Sequence, residues 1–261
     1  MKALALMYHD VVEPGRYESS GFPAPDAQIY KLEREEFGRH LEAIGKVLGG
    51  RPVEAIERAR TWAAERPLFL TFDDGGASAC TIAGMLEERG WLGHFFVTTD
   101  RIGQPGFLSE AQIAALRRRG HVIGTHSCSH PRLSRLEWPE LLREWKSSIQ
   151  RLAEITGDAV RTGSVPGGYY SRAVAAAAAA AGLEVLFTSQ PTARVRRVEG
   201  CLVLGRYGIQ RGMSAQRAAD FAAGRLGPRW RQALYWQVKA AAKAAGGPAY
   251  DRFRQIVLSR R

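Results

Sequence analysis

Seven short apolar runs alternate along this chain with segments of helical period, and that alternation constrains its fold more than any other feature. The runs are Ala3–Tyr8, Leu68–Phe72, His94–Thr99, His121–Thr125, Val160–Val165, Leu183–Thr188 and Cys201–Leu204. Each is short and bounded by turn residues, as a buried strand is. Helices are predicted over Glu33–Leu48, Val53–Glu65, Ala77–Arg89, Ser109–Arg119, Leu136–Thr156 and Ser171–Ala181. Glycines stop most of them. Ser109 with Gln112 three residues on has the pattern of a capping box. Val11–Ile29, holding three prolines and two glycines, is expected to be loop. Strands alternating with helices predict an α/β fold, a parallel sheet covered by helices.

Several of these strands end in reactive side chains. PLFLTFDDGG at 67–76 carries five strand residues into Asp73-Asp74 and then two glycines. A buried strand ending in paired carboxylates is costly unless the charges have a partner or a task. Neighbours on a strand point to opposite sides, but a turn at the strand end lets both converge. The bland alternative is a turn with an Asp cap before the next helix. The first strand ends in His9-Asp10, the fourth in His126, and the fifth in Pro166-Gly167-Gly168. Polar groups at the carboxyl ends of parallel strands mark the site in barrels and open sheets alike.

His126-Ser-Cys-Ser-His130 sets two imidazoles four residues apart. On a helix or tight turn their Cβ atoms lie about 5–6 Å apart, which suits two ligands on one ion. Two unrelated loop histidines would look the same in sequence. A carboxylate from Asp73 or Asp74 would complete a facial triad with open positions. Cys128, between the histidines, reads as a small packing residue. Three widely spaced cysteines, Cys80, Cys128 and Cys201, do not form a disulfide framework or a cysteine-pair zinc site.

TFDDG at 71–75 followed by HSCSH at 126–130 resembles the polysaccharide deacetylases, the NodB-homology or carbohydrate esterase family 4 group. The resemblance covers roughly Ala3 to Arg211. It implies a distorted (β/α) barrel with the C-terminal helices added to it. It implies Asp73 as general base and Asp74, His126 and His130 as ligands of a divalent metal. That metal is zinc in most members, with Co2+, Ni2+ or Mn2+ as alternatives. The third family motif maps onto Ser164-Val-Pro-Gly-Gly-Tyr169, so Gly167 N–H becomes the oxyanion donor. Gly168, Tyr169 and Tyr170 then border the sugar pocket. The implied function is removal of acetyl from an N-acetylated amino sugar in a polysaccharide, glycolipid or precursor. O-acetyl ester cleavage and a non-catalytic carbohydrate- or membrane-binding role are the alternatives.

Three departures stand out. Ser164 occupies the place of the arginine that orients the base. Leu186-Phe-Thr-Ser189 replaces the family's Asp-Trp. No histidine follows His130, so the usual late acid is missing. MYHDVV is similar to the early Tyr-His stretch of deacetylases acting on poly-N-acetylglucosamine, which implies His9 as the acid. Asp10 is expected to orient it, and Arg206 is the candidate for the missing arginine.

The net charge of +11 is concentrated at the end of the chain: residues 211–261 hold eleven Arg or Lys and two Asp, a balance of +9. The expected division is therefore a catalytic domain over 1–210 and a basic helical extension over 211–261. Helices are predicted there at Ser214–Ala223, Arg231–Ala245 and Tyr250–Ser259. Basic residues interleaved with Trp and Tyr over 227–261 suggest either contact with an anionic membrane surface or helices that cap the barrel with a basic outer face. No nucleic-acid module is recognisable, so no nucleic-acid partner is expected. No run of about 18 apolar residues suggests a transmembrane helix, and the N-terminus shows no secretory cleavage pattern. A cytoplasmic protein, peripheral on the inner face of the membrane, is the expectation.

Overall fold

A computed structural model describes residues 1–53, 55–56, 66–234 and 236–237. In chain order the elements are β1 (Leu4–Tyr8), β2 (Val11–Val12), α1 (Pro25–Gln28), β3 (Leu32–Glu33), α2 (Arg34–Leu48), β4 (Leu68–Phe72), α3 (Ala79–Glu87), β5 (Gly93–Val97), α4 (Glu110–Arg118), β6 (Val122–Thr125), α5 (Trp138–Thr156), β7 (Thr162–Ser164), α6 (Arg172–Ala180), β8 (Val185–Phe187), β9 (Arg196–Val198), β10 (Cys201–Leu204), β11 (Tyr207–Gly208) and α7 (Ala215–Ala222). All seven expected strands form. Ser109 caps α4 in a reciprocal box: its hydroxyl accepts from the Gln112 amide at 3.3 Å, and its own amide donates to the Gln112 side chain at 2.8 Å.

Nine strands make one sheet in the order β11-β1-β4-β5-β6-β7-β8-β10-β9. All neighbours are parallel except the β9–β10 pair. The chain just before β9 returns to the start of β1, where Lys2 bridges Arg194 and the Ala3 amide donates to Ala193 at 2.9 Å. The sheet therefore curls into an incomplete barrel. The strands β2 and β3 pair separately. These two, with α1, β9 and β11, were not expected from sequence; elements of two to four residues are too short to show a period. The helix expected over Val53–Glu65 falls largely outside the described residues, as do the segments beyond 237.

Alternation along each strand divides the core in two. Ala5, Phe69, Phe96, Val122, Phe187 and Leu204 fill the barrel. Leu4, Leu6, Leu68, Leu70, Phe72 and Phe95 face outward onto α2, α3, α4 and α7, whose Phe37, Leu41, Ile82, Leu86, Ile113 and Phe221 cover them. The first helix after residue 210, α7, is thus part of this main core. On the far side, Trp145 of α5 and Val174 of α6 pack over Leu186 and Val203. No helix among the described residues is long and apolar enough to cross a membrane.

One barrel residue carries a pH consequence. Inside the barrel His94 is fully buried; its Nε2 accepts from the Ile56 amide at 3.0 Å and its Nδ1 faces the Leu70 carbonyl at 3.3 Å. Burial pushes this imidazole down to about 4, against the smaller upward pull of the Leu70 carbonyl. The unfolded chain, with an imidazole near 6.5, takes up the proton first as pH falls. The contribution is whole above about pH 6.5 and is lost as pH falls toward 4, on the order of 3 kcal/mol in all. Denaturant midpoints measured from pH 7 to pH 4 are expected to fall, and less steeply in His94→Gln.

Candidate active site

The alternation that fills the barrel also aims the reactive groups. Inward positions on β1 run Ala3, Ala5, Met7 and then His9. On β4 they run Phe69, Thr71 and then Asp73, and on β6 Val122, Gly124 and then His126. His9, Asp73 and His126 are each the next inward place beyond the carboxyl end of a strand. Arg206 holds the same place two residues after Leu204 of β10.

Asp74 should point outward by this rule, in series with Leu70 and Phe72. It does not, because its backbone is left-handed, at φ 76°. Ser127 (φ 62°) and His130 (φ 61°) share that conformation, so three of the four non-glycine residues with positive φ among those described belong to this site. Strain gathered in this way marks positions held for a purpose. The turn is possible because Gly76 lacks a side chain: a Cβ there would sit 2.0 Å from Asp10 Oδ1.

Asp74 Oδ1 lies 3.5 Å from both His126 Nε2 and His130 Nε2. Two ligands bonded at roughly 2.0–2.1 Å in tetrahedral geometry stand about 3.4 Å apart. The spacing fits a shared divalent ion. Among the described residues this is the one group of three metal-ligating side chains that converges so, all donor atoms within 4.8 Å of one another. His126 Nδ1 lies 3.0 Å from the Ser164 carbonyl, which fixes its proton there and leaves Nε2 for a ligand bond. The histidines sit on a tight turn after β6 and not on a helix. Burial pulls the Asp74 carboxyl up, but the bonds from His126 and His130 outweigh it and hold it well below the usual range.

Asp73 is bound differently. Arg206 donates to both its oxygens, Nη1 to Oδ1 at 2.6 Å and Nη2 to Oδ2 at 2.8 Å. The guanidinium is fully buried and the carboxylate 4% exposed. Arg206 also donates Nε to the Thr188 carbonyl at 3.1 Å, Nη1 to Thr71 Oγ1 at 3.0 Å, and Nη2 to Ser164 Oγ at 2.7 Å. Burial raises the Asp73 carboxyl, but the Arg206 charge, with His126 and His9 beside it, holds it below its ordinary value. Serine at 164 leaves room for this arginine. The stretch Leu186–Ser189, lacking an Asp-Trp, supplies a carbonyl from Thr188 to hold it.

His9 lies within electrostatic reach of Asp73 and Asp74. Its ring stacks on Tyr30 at 4.6 Å between centroids, and its Nδ1 is buried with no hydrogen-bond partner. Asp10 does not orient it, contrary to expectation. The residue falls in the outward series of β1, where Ser20 and Ser78 hydroxyls donate to its Oδ1 at 2.6 and 2.8 Å. There it helps pin the loop after β2.

Gly167 and Gly168 form the turn after Ser164, both with positive φ (56° and 70°). A Cβ on Gly167 would meet the Tyr169 ring at 2.8 Å. The Arg132 guanidinium lies 5.0 Å from the Tyr169 ring centre, and Arg196 lies 5.6 Å from that of Tyr170.

Two supporting residues had no signal in sequence. Lys31, almost fully buried, donates Nζ to the carbonyls of Tyr17, Ser20 and Phe22 at 2.6 to 2.7 Å. It thereby holds the loop that lays Phe22 against His130, with ring centres 4.8 Å apart. Glu144 of α5 accepts from the amides of Cys128 and Ser129 at 2.9 and 3.0 Å and from the Ser129 hydroxyl at 2.8 Å. It thus holds the loop between the histidines. Cys128 stays outside the ligand cluster, its thiol toward the Glu144 carbonyl. Glu144→Gln is expected to weaken whatever divalent-metal binding the Asp74, His126 and His130 cluster has by about tenfold, read by competition with a chelating dye.

Residues 62–186 match the family model described as polysaccharide deacetylase. Over 95 residues the chain is 33% identical to the peptidoglycan-N-acetylmuramic acid deacetylase PdaC of Bacillus subtilis (strain 168), covering 36% of this chain and 20% of that protein. The chain spans 20 to 35% of the length of the curated relatives it matches. The fold is similar to that of BC0361, a polysaccharide deacetylase from Bacillus cereus, with a TM-score of 0.72 at 19% identity over 85% of this chain and 69% of that one. It is likewise similar to IcaB from Ammonifex degensii, with a TM-score of 0.66 at 22% identity over 85% and 97%. Residues 62–186 are thus similar in sequence to the polysaccharide deacetylases, and the curled sheet shares the fold of the NodB-homology group of carbohydrate esterase family 4.

Proposed function

We propose that this chain is a metal-dependent N-deacetylase that removes acetyl from an N-acetylated amino sugar of a glycan or glycolipid precursor. The observation that carries the reading is a carboxylate pair split between two tasks. Asp74 converges with His126 and His130 on one point, while Asp73 is clamped by Arg206. A divalent ion in that triad, zinc by preference, supplies Lewis acidity toward the acetyl carbonyl and the attacking water.

The chain's own groups divide the proton work. Asp73, ionised and fixed by Arg206, takes the proton from the attacking water. The Gly167 amide, at the turn after Ser164, donates to the developing oxyanion. His9 gives a proton to the departing amine nitrogen. Phe22 against His130 and Tyr30 against His9 limit water at the two flanks. The Arg206 clamp weighs against a non-catalytic remnant, because a buried ion pair with no task is costly to keep. The relative PdaC is described as a deacetylase of peptidoglycan N-acetylmuramic acid, which supports an N-acetyl sugar as the substrate class.

Acetate release from N-acetylated and O-acetylated glycans, with zinc, cobalt and chelator arms, tests this reading. Release from the N-acetylated set, lost with chelator and restored by metal, is expected. Release only from O-acetylated glycans overturns it, as does release that ignores chelator. His9→Ala is expected to lower turnover about a hundredfold with zinc content unchanged. Loss of the metal would instead make His9 a ligand.

A further inference from the structure

The helix over 226–234 leaves its largest apolar side chains on its outer face. Its inner face mixes polar and apolar groups: beside half-buried Pro228 and Trp236, Arg229 donates to the Tyr207 hydroxyl at 2.6 Å and to the Gly224 carbonyl at 3.1 Å, and Gln232 donates to the Gly208 carbonyl at 2.8 Å. Its outer face carries Leu226, Trp230 and Leu234, spaced four residues apart and exposed by 67%, 73% and 63%. A surface helix ordinarily buries such a stripe, and large apolar side chains set out in line mark a contact surface.

We propose that this face seats on the anionic headgroup surface of a lipid membrane, with Leu226, Trp230 and Leu234 entering the apolar boundary. Charge chooses the occupant. From 221 to 250 the chain has no acidic residue and five basic ones, Arg225, Arg229, Arg231, Lys239 and Lys243; of these Arg225 pairs with Asp220 at 2.9 Å and Arg229 is engaged on the inner face. A second copy would bring the same positive stretch against this one, whereas anionic lipid complements it. Trp flanked by Leu and Arg is the composition of a helix lying in the interface plane.

The same helix relates the surface to the site. A Cβ on Gly224 would sit 3.3 Å from Leu4, at the start of β1. Arg229 and Gln232 then reach Tyr207 and Gly208, which pair with Leu6 and Met7. The helix climbs beside β1 toward the end that carries His9. The inference deepens the deacetylase reading by bringing a lipid-borne sugar to that end, and it rests on that reading only for this orientation.

Co-sedimentation of the full chain with vesicles of phosphatidylcholine, alone or mixed with phosphatidylglycerol, tests it. The comparison is the triple variant Leu226→Ser, Trp230→Ser, Leu234→Ser, whose changes are all exposed and whose melting temperature serves as the folding control. Binding to the phosphatidylglycerol vesicles, weakened by salt and reduced at least tenfold in the variant, is expected. Equal binding by both proteins overturns the proposal, and so does absence of binding by the parent chain. Self-association in sedimentation velocity that the variant abolishes reassigns the face to a second copy and overturns it too. Acetate release from a short water-soluble substrate is expected to be the same in both proteins. Its absence in both would sink the deacetylase reading and leave the vesicle result standing.

Discussion

With Asp73 as the proposed base, Asp73→Asn is expected to lower acetate release about a thousandfold while bound divalent metal stays at the parent level. The amide cannot take a proton from water, and base catalysis by a placed carboxylate contributes roughly 10² to 10⁴. Asp74, His126 and His130 are untouched, so the metal cluster should remain. Arg206 keeps Thr71, Ser164 and the Thr188 carbonyl as partners, so the barrel should fold. Single-turnover acetate release, with metal content by mass spectrometry, checks both halves. A parent-like rate would remove Asp73 from the role of base. A metal-free variant would mean that the two carboxylates share the ion.

Arg206→Met is expected to be damaging for both stability and rate. Removing one partner of a buried ion pair leaves the other charge uncompensated, at a cost of about 3–5 kcal/mol. Here the partner is Asp73, which burial alone would push toward its neutral form. A base that is neutral or misdirected does not act, so the rate should fall with the stability. Arg206→Lys keeps the charge but not the two-pronged geometry, and is expected to fold well and still lose about tenfold or more in turnover. Joining Arg206→Met to Asp73→Asn distinguishes a clamp from a general packing residue. If Arg206 acts through Asp73, the second change adds little to the loss of rate. Independent, additive losses would show that Arg206 serves the site by another route.

Ser164 shows why this arrangement is hard to read in one dimension. Next to the family pattern, a serine in place of an arginine looks like a loss. In the folded chain the serine hydroxyl accepts from Arg206 and its carbonyl faces His126. The orienting group has moved 42 residues along the chain and returns to nearly the same place through β10. Asp10 is the opposite lesson. Its adjacency to His9 suggested a pair, yet strand alternation sends the two side chains to opposite faces, and Asp10 serves the loop after β2. Lys31 and Glu144 had no sequence signal because what they hold is backbone: carbonyls in one case, amides in the other. Such contacts leave no mark on spacing.

What the chain's order of residues determined by itself is the parallel sheet, the inward periodicity of its strands, and the four-residue pairing of His126 with His130; which carboxylate joins them stays open in the sequence and is settled by the left-handed turn at Asp74. These depend on local quantities: a two-residue alternation, a four-residue spacing, glycines where the backbone must turn. The curling of the sheet, the two-pronged grip of Arg206 on Asp73 that its place in the sequence only suggested, and the outward apolar face of the helix over 226–234 were decided only in three dimensions. Each depends on which distant segments meet, and the free energy of a buried ion pair or an uncovered leucine belongs to that meeting and not to either segment alone.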